Sequence, residues 1–294
     1  MIENLLSFSE YLPWLGFFVG SCLGSFLNVV AYRVPRELSI VRPGSYCPNC
    51  SATIPWSLNI PVFAWLALKG KARCCGSKIS TRYFLVELIV GLLFAWTFHC
   101  FSFHQNPGLF LASCIFAWLL VAVIVIDFET MLIPDRLSIG GACFGLILSF
   151  YFPSLHGIEY HPMGLESLLG GITSLAGILV GSGFLYWIGA LASRAFGREA
   201  LGEGDVKLLG CVGAFCGWKG AMFSIFGGAL IGSALLIPIY FWQKFCSSND
   251  KINQLNFGIE IPFGPYLALA ALGYFFGLKQ WIDPWFSWVG QIRL

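Results

Sequence analysis

Two carboxylates stand where this sequence has the strongest reason to exclude charge. Asp127 closes the apolar run LLVAVIVI and opens the stretch DFETMLIPDRLS; Asp205 lies in LGEGDVKLLG, where another apolar run begins. An ionisable group beside an apolar span is costly to keep, so it is a functional candidate. Two carboxylates that meet can share one proton, because adjacent like charges do not both ionise easily. One then acts as general base toward a water and the other as acid toward a carbonyl oxygen. Such a pair meets the requirement for hydrolysing a peptide bond without a covalent intermediate. The glycines of Gly202-Glu203-Gly204-Asp205 allow a substrate backbone to approach closely. Asp135, next to Pro134, reads as a cap on the following helix. Glu129 and Glu203 read as hydrated loop residues.

A second group of reactive side chains lies in the long polar stretch. Cys47-Pro48-Asn49-Cys50 is a C-x-x-C knuckle, and Cys74 and Cys75 follow it. Thiolates at C-x-x-C spacing grip one tetrahedral zinc when further thiolates complete the set. Three readings stay open: a structural zinc, a metal-free insert with reduced thiols, and a disulfide. The last fits a reducing cytoplasm poorly. Six of the 11 Cys lie in apolar runs, where Cys behaves as a small hydrophobe.

The elements that position these groups follow from composition. Hydrophobic residues make up 57% of the 294 positions and charged ones only 11%, against about 25% in soluble domains. A soluble globule and a disordered chain are both excluded by those values. The pattern predicts an all-α polytopic membrane protein with about eight spans, near 13–32, 83–101, 108–126, 137–152, 167–190, 206–218, 220–243 and 262–282. The fourth and sixth are short for a crossing. Fourteen of the 17 Lys and Arg fall in alternate loops, leaving Lys219, Lys279 and Arg293 for the other side. The positive-inside rule then puts the N-terminus outside and residues 33–82 in the cytoplasm, with both aspartates at the cytoplasmic membrane edge. The expected organisation is a first span at 1–32, a Cys-containing cytoplasmic insert at 33–82 and a membrane peptidase domain at 83–294. Within the insert the run IPVFAWLAL is too short to span. No repeat is evident, and a net charge of +2 gives no argument for nucleic acid.

With these residues in view, the chain resembles the bacterial type IV prepilin peptidases, integral-membrane aspartic proteases with a GxGD signature. DFETMLIPD and GEGDVKLLG resemble their paired aspartate motifs. GSCLGSFLNVVAYRVPR resembles the first-span signature. YCPNC, NIPVFAWLALKGKARCCGSKIS and RYFLVE resemble the insert and second span, and IPFGPYLALA the last-span motif. The likeness covers essentially the whole chain, in order. Archaeal preflagellin peptidases and presenilin-type proteases share the GxGD logic but lack the long Cys-bearing insert. The resemblance implies a two-step enzyme of the bacterial inner membrane. It cleaves the basic leader of prepilins and pilin-like secretion subunits on the cytoplasmic side, then N-methylates the new N-terminal residue with S-adenosylmethionine. It implies Asp127 and Asp205 as the catalytic pair, with Asp135 outside it. It also implies a second C-x-x-C pair; here Ala72 stands at the first Cys of that pair, Cys75 matches the second, and Cys74 lies between. The implied Zn2+ set is therefore Cys47, Cys50, Cys75 and Cys74. Asn28 and Glu87 match family motifs inside spans and are candidates for lining a cofactor or substrate pocket, or for bonding between helices. No GxGxxG follows a strand, so a Rossmann-type cofactor site has no support.

Two other classes make distinct predictions. A transporter needs its acids near the bilayer midplane and repeat symmetry between halves. A scaffold needs the cysteines and not the aspartates.

Overall fold

The computed structural model describes residues 2–101, 106–158, 164–199, 201–246 and 262–290. Lys251, Arg293 and most of the 244–261 loop lie outside them. The chain is all-α: among the described residues the only β pairings are two isolated bridges, Tyr46↔Thr53 and Lys71↔Lys78. Five helical stretches are long and apolar enough to cross a membrane: Tyr11–Arg36, Thr81–Cys100, Pro107–Thr130, Leu165–Phe196 and Glu203–Ile239. The chain divides into two compact units, Met1–Ala122 and Val123–Leu294.

In the first unit, α1 (Ile2–Arg33) packs along α3 (Thr81–Cys100). Glycines at 16, 20 and 24 put a bare stripe on α1. A Cβ at those positions would run into Phe98, Phe94 and the Glu87 backbone in turn, so the two helices run antiparallel with main chains close. The first part of α4 (Pro107–Thr130) joins them through Trp118, which donates to Leu23 O at 3.0 Å and stacks on Phe26. The insert folds back at once. Buried Arg33 donates to Ser39 O and Pro43 O, which gathers the chain after α1. The run IPVFAWLAL forms only the short α2 (Phe63–Ala67). It is introduced by a γ-turn at Val62 (φ 64°, ψ −55°), closed by Phe63 N–H to Pro61 O at 2.6 Å. That conformation is strained for a β-branched residue. Glu87 holds it, accepting the Val62 N–H at 2.7 Å.

In the second unit the end of α4 is followed by α5 (Asp135–Tyr151), α6 (Leu165–Phe196), α7 (Glu203–Cys246), α8 (Gly264–Gly273), a π-turn and α9 (Lys279–Gly290). The long α7 is a hairpin. At Gly217 the backbone takes φ 67° and ψ −178°, which only glycine adopts readily. Position 177 of α6 faces Gly213 and Gly217, and position 181 faces Leu209 and Ala221. Moving along α6 thus carries the contact backward on the first limb and forward on the second, so the limbs are antiparallel. The segments read at 206–218 and 220–243 are these limbs. The second limb in turn runs antiparallel to α8, with Gly220 facing Tyr274 and Gly232 facing Tyr266. The start of α8 is thereby delivered to the end of the unit where α7 begins.

Candidate active site

Asp127 sits in the last turns of α4, which ends where Met131 turns to φ 52° and donates to Asp127 O. Asp205 sits in the first turn of α7, its N–H bonded to Gly202 O at 3.2 Å. Both are buried, at 4% and 8% exposure. What unites them is Gly264, the first residue of α8. A Cβ built there would lie 2.6 Å from Asp127 Oδ2, 3.3 Å from Asp205 Oδ1 and 2.9 Å from Ile133 Cδ1. The two carboxylate oxygens are therefore no farther apart than the sum of the first two distances, a gap that one hydrogen-bonded water can bridge. The Gly264 backbone amide lies beside the Asp127 carboxylate. Asp205 Oδ1 is buried with no hydrogen-bond partner, a free acceptor aimed into this space. Ile133 closes over it, its Cβ 3.0 Å from the position of a Cβ on Gly204. Two acids, one missing side chain and one apolar side chain thus meet at one crowded point.

Asp135 corrects one expectation. The N-cap of α5 is Pro134, with no side-chain cap bond. The Asp135 carboxylate instead accepts from Lys207 Nζ at 2.8 Å, because Lys207 stands one turn into α7. This ion pair ties the start of α5 to the start of α7. Glu203 stands in water, its side chain 93% exposed.

The four insert thiols converge. Cys47, Cys50, Cys74 and Cys75 place their sulfurs within 4.8 Å of one another. Three of the separations are 3.7 Å (Cys47–Cys75), 3.3 Å (Cys50–Cys74) and 3.9 Å (Cys74–Cys75). Four sulfurs at the usual Zn–S length around a tetrahedral zinc are about 3.8 Å apart. The insert reaches this geometry with two loops of one design. Cys47 N–H bonds Ala52 O, and Ser51 N–H bonds Cys47 O, inside the Tyr46↔Thr53 bridge. Ala72 N–H bonds Ser77 O, and Gly76 N–H bonds Ala72 O, inside the Lys71↔Lys78 bridge. By this pattern Ala72 answers to Cys47, Cys74 to Asn49 and Cys75 to Cys50. The sulfur missing at 72 is supplied from 74. Hydrogen bonds already tune these thiols. The Ser77 hydroxyl and amide, with Asn49, hold Cys75 down to about 6. The amides of Asn49 and Cys50 lower Cys47. Cys74, bonded to the sulfurs of Cys50 and Cys47, is pushed up to about 12.

Residues 18–101 match the bacterial peptidase A24 N-terminal domain, and residues 114–237 match the type IV leader peptidase family. A protein of Aeromonas salmonicida is 34% identical, the alignment covering 90% of this chain and 92% of that one. One of Xanthomonas campestris is 32% identical over 97% of this chain and 99% of its own length. One of Myxococcus xanthus is 36% identical over 75% of this chain, spanning 62% of its own length. All three are named prepilin leader peptidase/N-methyltransferase. The chain belongs to the type IV leader peptidase family. No solved structure matches it.

Within this family member the remaining site candidates, Asn28 and Glu87, both serve the α1–α3 pair. Glu87 is committed to the Val62 turn. Asn28 donates to Tyr83 O at 3.3 Å, while its buried Oδ1 has no partner and is free for a ligand. Asn28 fits a ligand-facing role; Glu87 fits a positioning one. Gly264 and Ile133 escaped the reading of residues by type, since neither carries a reactive group. The available signal was Gly264 opening an apolar helix just before Pro265, where no turn requires a glycine.

Proposed function

We propose that the protein is a prepilin peptidase that removes the leader peptide of type IV prepilins and pilin-like secretion subunits by an Asp127–Asp205 dyad. In this reading it then methylates the new N-terminus. The observation that carries the reading is the approach of both carboxylates to the bare Cα of Gly264. With one proton between the pair, the ionised carboxylate takes a proton from a water as its oxygen bonds to the scissile carbonyl carbon. The protonated carboxylate gives its proton to the carbonyl oxygen, leaving a neutral gem-diol. The carboxyl that gained the water's proton passes it to the leaving nitrogen as the C–N bond breaks. The other carboxylate takes back a proton from the gem-diol as the new carboxylic acid forms.

The substrate logic follows from the membrane. A prepilin presents a basic leader followed by an apolar helix. The helix partitions into the bilayer and the leader stays near anionic headgroups, so the scissile bond falls at the boundary. The expected setting is the bacterial inner membrane with the dyad facing the cytoplasm. S-adenosylmethionine supplies the methyl group when bound, with Asn28 Oδ1 as a contact for it. The test is a cleavage assay with purified protein, a prepilin and labelled S-adenosylmethionine. Shortened pilin carrying label is the expected product. Shortened pilin without label leaves a peptidase alone, and no shortening rejects the proposal.

The insert thiols fit a structural zinc held by Cys47, Cys50, Cys74 and Cys75. Four thiolates leave no open position for water, so the metal would brace the two loops and take no part in hydrolysis. We expect about one zinc per chain by elemental analysis. Cys74→Ala should remove it. The double change Ala72→Cys with Cys74→Ala should restore it, because it rebuilds the second loop in the pattern of the first. Zinc retained in Cys74→Ala would remove Cys74 from the ligand set.

A further inference from the structure

An open pocket of about 600 Å³ lies on the surface of the second unit, at the end away from the aspartates, lined by Lys219, Lys279, Gln280, Asp283 and Pro284. The family match ends at residue 237, before four of these five residues. Lys219 stands just past the Gly217 reversal, at the tip of the α7 hairpin, and Lys279 begins α9. The charge pattern leaves only three cations for the outer side of the membrane, and two of them converge here from distant parts of the chain.

These charges are not used up internally. Lys279 Nζ is positioned by Leu155 O at 3.2 Å, a neutral acceptor. Among the described residues no ion pair involves Lys219 or Lys279. Asp283 accepts from the Tyr274 hydroxyl, so the single acid in the lining already has a partner. The surroundings are those of a membrane interface. Trp281 and Trp285 on α9 are 68% and 78% exposed, and Trp218 packs edge-on against Phe286. Exposed Trp on a helix at the end of an apolar bundle marks the headgroup level. A pocket with two cations at that level suits a phosphodiester, with Gln280 available to headgroup hydroxyls.

We propose that the Lys219–Lys279 cavity binds the headgroup of an anionic phospholipid, its phosphate lying between the two ammonium groups. The bond is non-covalent and independent of the peptidase reading. Two cations around one phosphate give charge-assisted hydrogen bonds that a zwitterionic lipid without free hydroxyls matches less well.

The experiment is native mass spectrometry of the full chain in detergent, titrated with phosphatidylglycerol or phosphatidylcholine. The wild-type protein should retain one phosphatidylglycerol at least tenfold more strongly than phosphatidylcholine. Lys219→Gln with Lys279→Gln should lose that preference, while Lys69→Gln in the insert should keep it. Asp283→Asn should strengthen retention, because it removes the one competing negative charge and keeps an acceptor for Tyr274. This opposite-signed variant keeps the test open if the double variant folds poorly. Glycerol 3-phosphate at millimolar concentration should not displace the lipid. Equal retention by the double variant, equal binding of the two lipids, or displacement by glycerol 3-phosphate would each overturn the proposal.

Discussion

Asp127→Asn or Asp205→Asn should lower prepilin cleavage by about 10³-fold or more, the scale of a lost general acid or base. Asparagine keeps the shape of the side chain and an acceptor oxygen. It cannot carry the proton that the pair must exchange with water and substrate. The two changes should also be strongly non-additive. Once either acid is gone the other has no partner to complete the transfer, so the double variant should be little worse than either single one. Thermal stability should hold or rise, because a buried carboxylate is replaced by a neutral amide of the same size. The measurement is cleavage of a fixed prepilin by each purified variant, with melting temperature recorded on the same sample. Either single variant working at more than a tenth of the wild-type rate would remove that residue from the reaction.

The second large effect needs no change to a reactive group. Gly264→Ala should cost about 10²-fold in cleavage. The added methyl would lie 2.6 Å from Asp127 Oδ2, 2.9 Å from Ile133 Cδ1 and 3.3 Å from Asp205 Oδ1. It takes the volume where water and a carbonyl must sit, and it pushes the two acids apart. A displacement near 1 Å at a catalytic group costs rate on that scale. The loss in stability should be about 1–3 kcal/mol, the usual range for overpacking. Gly273→Ala at the other end of α8 is the control. Its Cβ would meet only Leu278 Cδ1, at an ordinary 3.6 Å. Gly273→Ala should cleave within twofold of wild type. A Gly264→Ala variant equally active would mean that the space between the carboxylates is not where the reaction occurs.

Much of this architecture is written locally in the chain. Apolar runs of helical length announce the spans, and Lys219 interrupting one such run separates the two limbs of α7 before any coordinates are seen. The acids are legible because charge at the edge of an apolar span needs a reason. What is not legible is convergence. Asp127, Asp205 and Gly264 lie on three helices, and only the reversal at Gly217 and the antiparallel second limb bring α8 back to the start of α7. Gly264 is silent by type, since its contribution is the side chain it lacks. The thiol cluster is hidden differently. The two insert loops share a hydrogen-bonding pattern but only one equivalent cysteine, so the repeat is carried by the backbone and not by residue identity. Two adjacent cysteines look awkward for one tetrahedral centre, yet the loop carries both sulfurs to the same point. The ion pair of Asp135 is not legible in the sequence because a cap is a local role, and the Lys207 that claims its carboxylate comes from another helix.

The central claim is that Asp127 and Asp205 face one another across a single small space. The most direct measurement is thiol cross-linking of an Asp127→Cys, Asp205→Cys double variant in membranes, with a short bifunctional thiol reagent and mass spectrometry of the digest. A peptide pair joined through positions 127 and 205 is predicted. The control pair Asp127→Cys with Lys219→Cys, which reaches to the far tip of the α7 hairpin, should not join. If both engineered thiols at 127 and 205 react singly but no joined peptide forms, the two acids do not share a site and the account is contradicted.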